Sequence, residues 1–261
     1  MTATLRDCIF GQAVGDAVGV PYEFMVRGSF TCSGMTGHGT HNQPAGTWSD
    51  DTSMALAICD SYRELGRIDA CDIRKKFLAW YRDDAYTCDG LFDIGNATAT
   101  ALRLGHGLLG ERDNGNGSLM RTVPLAFTDA TDDEVRAVSA ITHAHSTSVE
   151  ACVRMVQAAR ELITGRPGRV VASQRIDVSK PADQVASSGH VLATYEAALW
   201  CLANTDNYAD CVLAAVNLGD DADTTGAVAG ALAGIAYGFD AIPGSWVDAL
   251  RGKDVIEACL F

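Results

Sequence analysis

The sequence lacks the patterns that mark disulfide-bonded, zinc-binding and nucleic-acid-binding proteins. Its nine cysteines are scattered singly over 261 residues, and no two of them form a C-x-x-C pair. An odd number of separate cysteines, several of them in apolar stretches, indicates buried free thiols in a reducing compartment rather than a zinc site. No basic run is longer than the one in IRKK at residues 73–76, and the formal net charge is −13. Because such a charge repels polyanions, we expect no nucleic-acid partner.

Long hydrophobic runs are also missing. The N-terminal segment MTATLRDCIFGQAVGDAVG is interrupted by Asp7 and Asp16 and has no basic segment ahead of its apolar part, so it does not have the pattern of a signal peptide. The most apolar later segment, AVAGALAGIAYG at residues 227–238, is too short and too rich in glycine to cross a bilayer. These observations predict a soluble protein in the cytoplasm, with no membrane partner.

Apolar residues recur at helical spacing through most of the chain. With 48% hydrophobic and 20% charged residues, the chain can bury a sizeable core. No internal repeat and no Pro/Gly/Ser-rich linker divides it, so we expect residues 1–261 to form one compact all-α domain. Only the segments RVVAS and QRIDV, within residues 169–178, are weakly strand-like. Helices are predicted at residues 3–18, 51–65, 69–81, 96–108, 146–164, 188–203, 207–217 and 224–238, and another opens at the capping box of residues 131–134.

A row of glycines marks the first predicted helix. Gly11, Gly15 and Gly19 lie four residues apart, and residues at this spacing share one face of a helix. Because glycine has no side chain, such a face allows close approach of a second helix or of a ligand. The sequence leaves both possibilities open.

Two adjacent aspartates, Asp50 and Asp51, open the second predicted helix. They lie in GTWSDDTSM, residues 46–54, between the hydroxyl groups of Ser49 and Thr52. Ser and Asp are favoured at helix N-caps, and carboxylates in the first turn interact favourably with the positive end of the helix dipole. The same oxygen atoms are also the ligands that hard divalent cations prefer. This stretch alone is compatible with a helix cap and with a metal site.

A second acidic segment, NLGDDADTTGAVAG at residues 217–230, has the same character. Asp220, Asp221 and Asp223 place three carboxylates within four residues, more than a cap requires, and such charges repel one another unless a cation lies among them. An EF-hand is excluded, since taking Asp221 as its first position puts Leu232 where a bidentate glutamate is required. We predict that the two acidic segments, about 170 residues apart in the chain, meet and hold a pair of divalent ions.

Seven segments, taken in order, carry a likeness to one known family. They are GQAVGDAVGVPYEF (residues 11–24), GTWSDDTSM (46–54), FDIGNAT (92–98), GNGSLMR (115–121), THAHS (142–146), SSGHVLATYEAAL (187–199) and LGDDADTTGAVAGALAGIAYG (218–238). With them the chain resembles the ADP-ribosylglycohydrolase family, and most of all its bacterial branch that reverses ADP-ribosylation of dinitrogenase reductase. The likeness extends over nearly the whole chain, and the two acidic segments are its most specific part.

The resemblance implies an all-helical fold with a binuclear Mg²⁺ or Mn²⁺ centre at the base of a cleft. The implied metal ligands are Ser49, Asp50, Asp51, Asp221, Asp223 and Thr224. Ser49 stands where the family often has threonine, a change that keeps the hydroxyl group. The implied catalytic residues are Glu23, at the rim of the cleft, and Asp93, over the substrate ribose. The implied substrate-binding residues are Gly95, Asn96, Asn116, Gly117, Ser118, Met120 and His145, the last near the diphosphate or the distal ribose.

The activity that the resemblance implies is metal-dependent hydrolysis that removes ADP-ribose from a modified side chain of a protein substrate. The FDIG segment resembles the arginine-cleaving branch, and a carboxylate such as Asp93 can accept two parallel hydrogen bonds from a guanidinium. We therefore expect an arginine linkage. The sequence does not determine whether Glu23 or Asp93 accepts the proton. Two other functions stay open: a module that binds ADP-ribose without cleaving it, and a two-metal phosphoesterase acting on a nucleotide.

Overall fold

Eleven α-helices make up the described part of the computed structural model, which covers residues 2–165, 167, 170, 173–174 and 176–261. Within these ranges no β-strand occurs, and the sheet-like pairing consists of three isolated bridges. The helices are α1 (Leu5–Gly19), α2 (Asp50–Leu65), α3 (Ala70–Asp83), α4 (Asn96–Leu104), α5 (Asp132–Ala140), α6 (Ser146–Thr164), α7 (Val191–Ala203), α8 (Tyr208–Val216), α9 (Ala222–Tyr237), α10 (Gly244–Ala249) and α11 (Lys253–Cys259).

Helices α1 and α9 form the centre of the fold and are buried along almost their whole length. They run antiparallel, with Gly11 against Gly230 and Gly15 against Gly226. A Cβ atom on Gly226 would lie 2.7 Å from the carbonyl oxygen of Gly15, and one on Gly15 would overlap the carbonyl oxygen of Gly226. Only glycine permits the backbones to come this close, so of the two possibilities that the sequence left open, the glycine row is shown to face a second helix. The contact also places the C-terminal end of α1 beside the N-terminal end of α9.

The other helices surround this central pair. Helices α2, α6, α7 and α8 pack against α9, and α2 and α8 also contact α1. Their inward faces carry fully buried apolar side chains such as Leu56, Leu199 and Val212. Helices α3 and α11 pack on α2, while α4 packs on α3 and α5 packs on α6. Removal of these apolar surfaces from water is the main source of stability for such a core.

The predicted helices are all present, and their ends differ by a few residues. The fourth helix ends at Leu104 because Gly105 adopts a φ of 88°, a left-handed conformation that terminates helices. The seventh begins at Val191 because the ring of His190 caps it, accepting a hydrogen bond from the N–H of Leu192 (3.2 Å). The C-terminal part, beyond the last predicted helix, holds α10 and α11. Of the two strand-like segments, residues 169, 171, 172 and 175 lie outside the described residues, and the other six form no strand.

The all-α class predicted from the sequence is confirmed. Among the residues that the structure describes, none of the helices combines the length and the apolar character needed to cross a bilayer.

The glycine contact predicts a strong effect of a single methyl group. Gly15→Ala places a Cβ atom against the backbone of α9, which no side-chain rotation relieves. We expect the free energy of unfolding to fall by about 3 kcal/mol or more, measured by urea denaturation. Gly244→Ala is the matched control, because its Cβ atom meets nothing within 4 Å at the start of α10. It should leave stability unchanged or slightly higher, since alanine favours the helix. Equal stability of the two variants would contradict the close packing of α1 and α9.

Candidate active site

The antiparallel contact of α1 and α9 brings the two acidic segments together. Asp16 near the end of α1 accepts a hydrogen bond from the backbone N–H of Ser49 (3.0 Å), which fixes the start of α2. Asp221 is the N-cap of α9 at the same end of the pair. The hydroxyl of Thr224 donates to Oδ2 of Asp51 over 3.3 Å. The predicted meeting of two segments that are far apart in the chain is therefore confirmed.

Helix capping explains some of the polar side chains at the start of α2 but not all of the carboxylate oxygens near it. Ser49 is the N-cap of the helix: its hydroxyl oxygen accepts from the N–H of Asp51 (3.4 Å), and its hydroxyl donates to Oδ2 of Asp51 (2.9 Å). The capping interpretation is thus correct for Ser49. Oδ1 of Asp51 and Oδ2 of Asp223, however, are buried and have no hydrogen-bond partner in the described ranges. Helix capping accounts for neither of these two oxygen atoms.

Two groups of carboxylates lie close enough together to share a cation. Oxygen atoms of Asp16, Asp51 and Asp223 lie within 4.8 Å of one another, and so do oxygen atoms of Glu23, Asp221 and Asp223. Asp223 belongs to both groups. The donors are all oxygen atoms, which hard ions such as Mg²⁺ and Mn²⁺ prefer. Together with the buried unpartnered oxygens, this donor set fits a divalent cation centre.

Burial makes these carboxyl groups resist ionisation when no cation is bound. It raises the pKa of Asp51 and Asp223 well above the usual range, and repulsion from neighbouring carboxylates adds to the shift. Burial also raises the pKa of Asp16 to about 7 and that of Glu23 to about 7, although hydrogen bonds to their oxygens oppose the change. A divalent cation would favour the charged forms and reverse these shifts.

A cavity of about 300 Å³ adjoins the acidic centre, a size at the lower end of the range for small-molecule sites. Among the predicted metal ligands, Asp50, Asp221 and Thr224 line it, whereas Ser49, Asp51 and Asp223 are buried and do not. The lining residues are Glu23, Phe24, Asp50, Asp93, Ile94, Gly95, Asn96, Ala97, Thr98, Gly115, Asn116, Gly117, Met120, His143, Gly189, Asp221 and Thr224.

Glu23 and Asp93, the two predicted catalytic residues, lie together at this cavity. With His41 they form a third close group, whose ligand atoms all lie within 4.8 Å of one another. Nε2 of His41 is hydrogen-bonded to Oε2 of Glu23. That bond is the main cause of a raised pKa for His41, and it opposes the effect of burial on Glu23. The sequence analysis did not identify His41, which ends a short 3₁₀ helix (Gly39–His41) in a segment without a recognisable motif.

Arg27 fastens the loop that follows Glu23 to the segments around the acidic centre. Its guanidinium donates to the carbonyl oxygens of Leu218 (2.6 Å), Ala182 (2.6 Å) and Val185 (2.5 Å). These three acceptors lie in two different segments, one of which leads into α9. The side chain therefore holds the rim of the cavity in a fixed position relative to the second acidic segment.

A buried arginine holds the 115–121 loop from inside. Arg121 has no exposed surface, and its guanidinium donates to the carbonyl oxygens of Gly117 (3.1 Å) and Val138 (3.2 Å) and to the hydroxyl of Thr142 (2.8 Å). Burial lowers its pKa to about 10, so it is charged at neutral pH. Charge-assisted bonds of this kind are strong, and they fix one wall of the cavity.

The loop residues that were predicted to bind substrate lie in different environments. Asn116, Gly117 and Met120 line the cavity. The side-chain amide of Asn116 donates to Oδ2 of Asp221 (2.7 Å), so it also orients a predicted metal ligand. Ser118 is fully buried, with its hydroxyl hydrogen-bonded inside the core, and it does not line the cavity.

Of the two neighbouring histidines, it is His143 that lines the cavity. Its ring packs against the 115–121 loop, and burial lowers its pKa to about 3, so it is neutral at physiological pH. His145, the residue predicted from the sequence, is the N-cap of α6 and accepts from the N–H of Thr147 (3.2 Å). It does not line the cavity, and its contact with the substrate stays a prediction.

Comparison with known proteins decides the family. The family model for ADP-ribosylglycohydrolase matches residues 2–260. The chain belongs to the ADP-ribosylglycohydrolase family. It is 36% identical to ADP-ribosylarginine hydrolase Tri1 of Pseudomonas putida (strain GB-1), over 97% of this chain and 75% of that protein. It is 34% identical to ADP-ribosyl-[dinitrogen reductase] glycohydrolase of Rhodospirillum rubrum, over 93% of this chain and 88% of that protein.

A solved structure agrees with this family assignment. The structure of an ADP-ribosylglycohydrolase-related protein complex matches with a TM-score of 0.83 at 33% sequence identity, over 98% of this chain and 94% of that chain. The family resemblance stated from the sequence is therefore confirmed.

Asp16 is the residue of the acidic centre that sequence analysis missed. Besides Ser49, its carboxylate accepts from the N–H (3.1 Å) and the hydroxyl (2.6 Å) of Thr52. A signal for it was present, since Asp16 is the single charged residue between positions 8 and 19 of a helix that is otherwise apolar. A lone acid in a buried helix requires a partner, and here that partner is the start of α2.

The raised pKa values predict how stability depends on pH and metal. Without metal, Asp16 and Glu23 stay protonated in the folded protein up to about pH 7, whereas in the unfolded chain they release their protons near pH 4. The resulting stability is present below about pH 4 and is lost as the pH rises through about 7, the folded pKa of Asp16 and Glu23. A bound cation needs the charged carboxylates and removes this loss. The difference in Tm between Mn²⁺-saturated and EDTA-treated protein should therefore grow from about pH 5 to about pH 8.

Differential scanning fluorimetry measures this difference in Tm. At a free metal concentration of 100 times Kd, binding should raise the free energy of unfolding by about 2.7 kcal/mol. Asp223→Asn should abolish the difference in Tm, whereas Asp177→Asn, a change at an exposed loop carboxylate, should preserve it. A Tm that does not respond to Mg²⁺ or Mn²⁺ at about pH 8 would mean that the aspartates only stabilise helix ends.

Proposed function

We propose that this protein hydrolyses the bond between ADP-ribose and an arginine side chain of a modified protein, with two divalent ions, Mg²⁺ or Mn²⁺, in the acidic centre. The main support is the gathering of oxygen ligands from two distant segments beside a cavity that Glu23 and Asp93 share. The name of one relative, an ADP-ribosylarginine hydrolase, supports the arginine linkage, and that of another, an ADP-ribosyl-[dinitrogen reductase] glycohydrolase, supports a modified protein as the substrate. The products are ADP-ribose and the unmodified protein.

The proposed ion ligands are side chains of the two acidic segments: Ser49, Asp50, Asp51, Asp221, Asp223 and Thr224. When bound, the ions would supply positive charge and Lewis acidity at the base of the cavity. The side-chain amide of Asn116 holds Asp221 in position. The bond from the backbone N–H of Ser49 to Asp16 fixes the start of α2, which carries Asp50 and Asp51.

The diphosphate of ADP-ribose has a suitable receptor at the start of α4. Gly95 is the N-cap and offers no side chain, and the first turn of the helix lines the cavity. Free N–H groups at a helix N-terminus bind anions, and the helix dipole adds to the attraction. Asn96 and Ala97 are thus proposed to contact the diphosphate through their backbone N–H groups, while the N–H of Gly95 donates to the carboxylate of Asp50.

Glu23 is proposed as the proton acceptor. It lies at the cavity with a hydrogen bond from His41, and bound cations would keep its carboxylate in the charged form that a base requires. The oxygen of water adds to the anomeric carbon of the ribose while the bond from that carbon to the guanidine nitrogen breaks. Glu23 takes the proton from water, and this proton finally resides on the released guanidine, which is a strong base.

Asp93 is proposed to pair with the guanidinium. The group is planar and cationic, and a carboxylate beside it can accept two parallel hydrogen bonds. The serine linkage of other substrates offers no charge for such a pair. Asp93 lies within the Glu23–His41–Asp93 group and lines the cavity together with Gly95, two residues further along the chain.

A phosphoesterase and a binding module are the two competing functions, and the released product separates them. We expect release of intact ADP-ribose from an arginine-modified peptide, loss of this activity in excess EDTA, and its return with Mg²⁺ or Mn²⁺, followed by chromatography. Release of AMP or phosphate would identify a phosphoesterase. Tight binding of ADP-ribose without any release would identify a module. Full activity in EDTA would overturn the metal-dependent reaction.

The role of Asp93 predicts a loss that depends on the linkage. Asp93→Ala should lower kcat/KM on an arginine-linked substrate at least ~10-fold, about 1.4 kcal/mol for one charge-assisted contact. Metal affinity should stay nearly unchanged, because Asp93 lies outside the two acidic segments. Asp89→Ala is the control, since this residue of the same loop pairs with Arg251 at the surface. Faster release from a serine-linked peptide by the unaltered enzyme would contradict the arginine assignment.

A further inference from the structure

Phe24 presents its aromatic ring at the cavity, next to the proposed proton acceptor. The residue is 68% exposed and lines the cavity. Phe261 is the other exposed phenylalanine in the described ranges, and it does not line the cavity. Single exposed apolar residues are common on protein surfaces, so exposure alone does not establish a role.

The backbone of Phe24 supplies a second observation. Its φ of 62° lies in the left-handed region, which bulky side chains rarely adopt. Two backbone hydrogen bonds maintain it: the N–H of Phe24 donates to the carbonyl oxygen of Asp220 (2.6 Å), and the N–H of Asp220 donates to that of Met25 (2.9 Å). The loop ahead of α9 therefore holds the ring at the cavity, instead of letting it turn into the core.

The ring belongs to a row of three that borders the two proposed catalytic carboxylates. The centroid of His41 lies 6.1 Å from that of Phe24 and 5.3 Å from that of Phe92. Nε2 of His41 is bonded to Glu23, and Asp93 follows Phe92 in the chain. Aromatic surface and negative charge thus meet at one end of the cavity.

This combination of charge and flat apolar surface suits a planar cation. Glu23, Asp50, Asp93 and Asp221 all line the cavity. A guanidinium is attracted to the face of an aromatic ring when it lies within about 6 Å of the centroid. Its edge stays free to donate hydrogen bonds to a carboxylate in its own plane.

We propose that the ring of Phe24 covers one face of the substrate guanidinium while Asp93 pairs with its edge, so that Phe24 determines specificity for the arginine linkage. The inference rests on the proposed function and deepens it. A serine-linked ADP-ribose has neither the charge nor the flat group that this arrangement recognises.

Binding of a guanidinium probe tests the proposal without turnover. Agmatine is titrated calorimetrically into protein that is saturated with Mn²⁺ and ADP-ribose. Phe24→Leu keeps the apolar bulk and removes the aromatic face, and it should weaken agmatine binding roughly fivefold. Phe24→Tyr keeps the face and should bind within about twofold of the unaltered protein. Leu65→Ala, an exposed apolar residue at the far end of α2, is the matched control and should bind agmatine normally.

The outcomes separate this inference from the proposed function. Equal agmatine affinity of Phe24→Leu and the unaltered protein overturns the role of Phe24, whatever the enzyme hydrolyses. The role of Phe24 is also overturned if Phe24→Leu loses as much affinity for ADP-ribose alone as it loses for agmatine, since the ring would then contact the nucleotide. If the unaltered enzyme releases no ADP-ribose from arginine, the proposed function fails, and the binding result still decides whether Phe24 recognises guanidinium.

Turnover of two substrates provides a second measurement. With ADP-ribosyl-agmatine, Phe24→Leu should raise KM several-fold and change kcat less. A loss seen only with a modified protein, and not with the small substrate, would assign Phe24 to contact with the protein surface and overturn the proposal.

Discussion

The close antiparallel contact between α1 and α9 is the constraint on which the site depends. Facing glycines let the two backbones touch, and this contact places the end of α1 beside the start of α9. Asp16 then fixes the start of α2 at the same point, and Asp221 and Asp223 enter with α9. A larger residue in the glycine row would separate the helices and, with them, the two halves of the acidic centre. Packing of the core and placement of the ligands are therefore one structural requirement.

Within the described ranges, no lysine or arginine side chain forms an ion pair with an acid of the centre, and His41 is bonded to Glu23. Arg27 and Arg121, the arginines nearest to the site loops, donate to carbonyl and hydroxyl oxygens and to no carboxylate of the centre. Burying several carboxylates without counter-charge is costly, as their raised pKa values reflect. Repulsion among these carboxylates thus lowers the stability of the folded protein, and a divalent ion would remove that repulsion. The two arginines instead stabilise the loops that shape the cavity.

Sequence reasoning predicted the elements whose signals are local or shared by a family. Helix spacing, caps and the glycine row gave the all-α fold, and the charge density of Asp220 to Asp223 indicated a cation site. Contacts that depend on loop conformation could not be predicted in this way. The pairing of His41 with Glu23 joins residues that no periodic pattern relates, and the cavity contact of His143 instead of His145 depends on where α6 begins. Asp16 lies between these cases, because its isolation in an apolar helix was visible although its partner was not.

The rim and the base of the site are not independent. Asp220 adopts a φ of 56° and holds Phe24 in its own left-handed conformation, while the next residue, Asp221, is a proposed metal ligand. The backbone of Phe24 is therefore bonded to the residue directly before Asp221, so a single peptide unit separates the rim from the acidic centre. Gly219, with a φ of 74°, allows this approach, because a Cβ atom there would lie 2.7 Å from the backbone nitrogen of Arg27. The proposed recognition of the linkage and the proposed binding of the metal thus rely on the same short segment, in which Phe24 contacts Asp220 and both residues have left-handed backbone conformations.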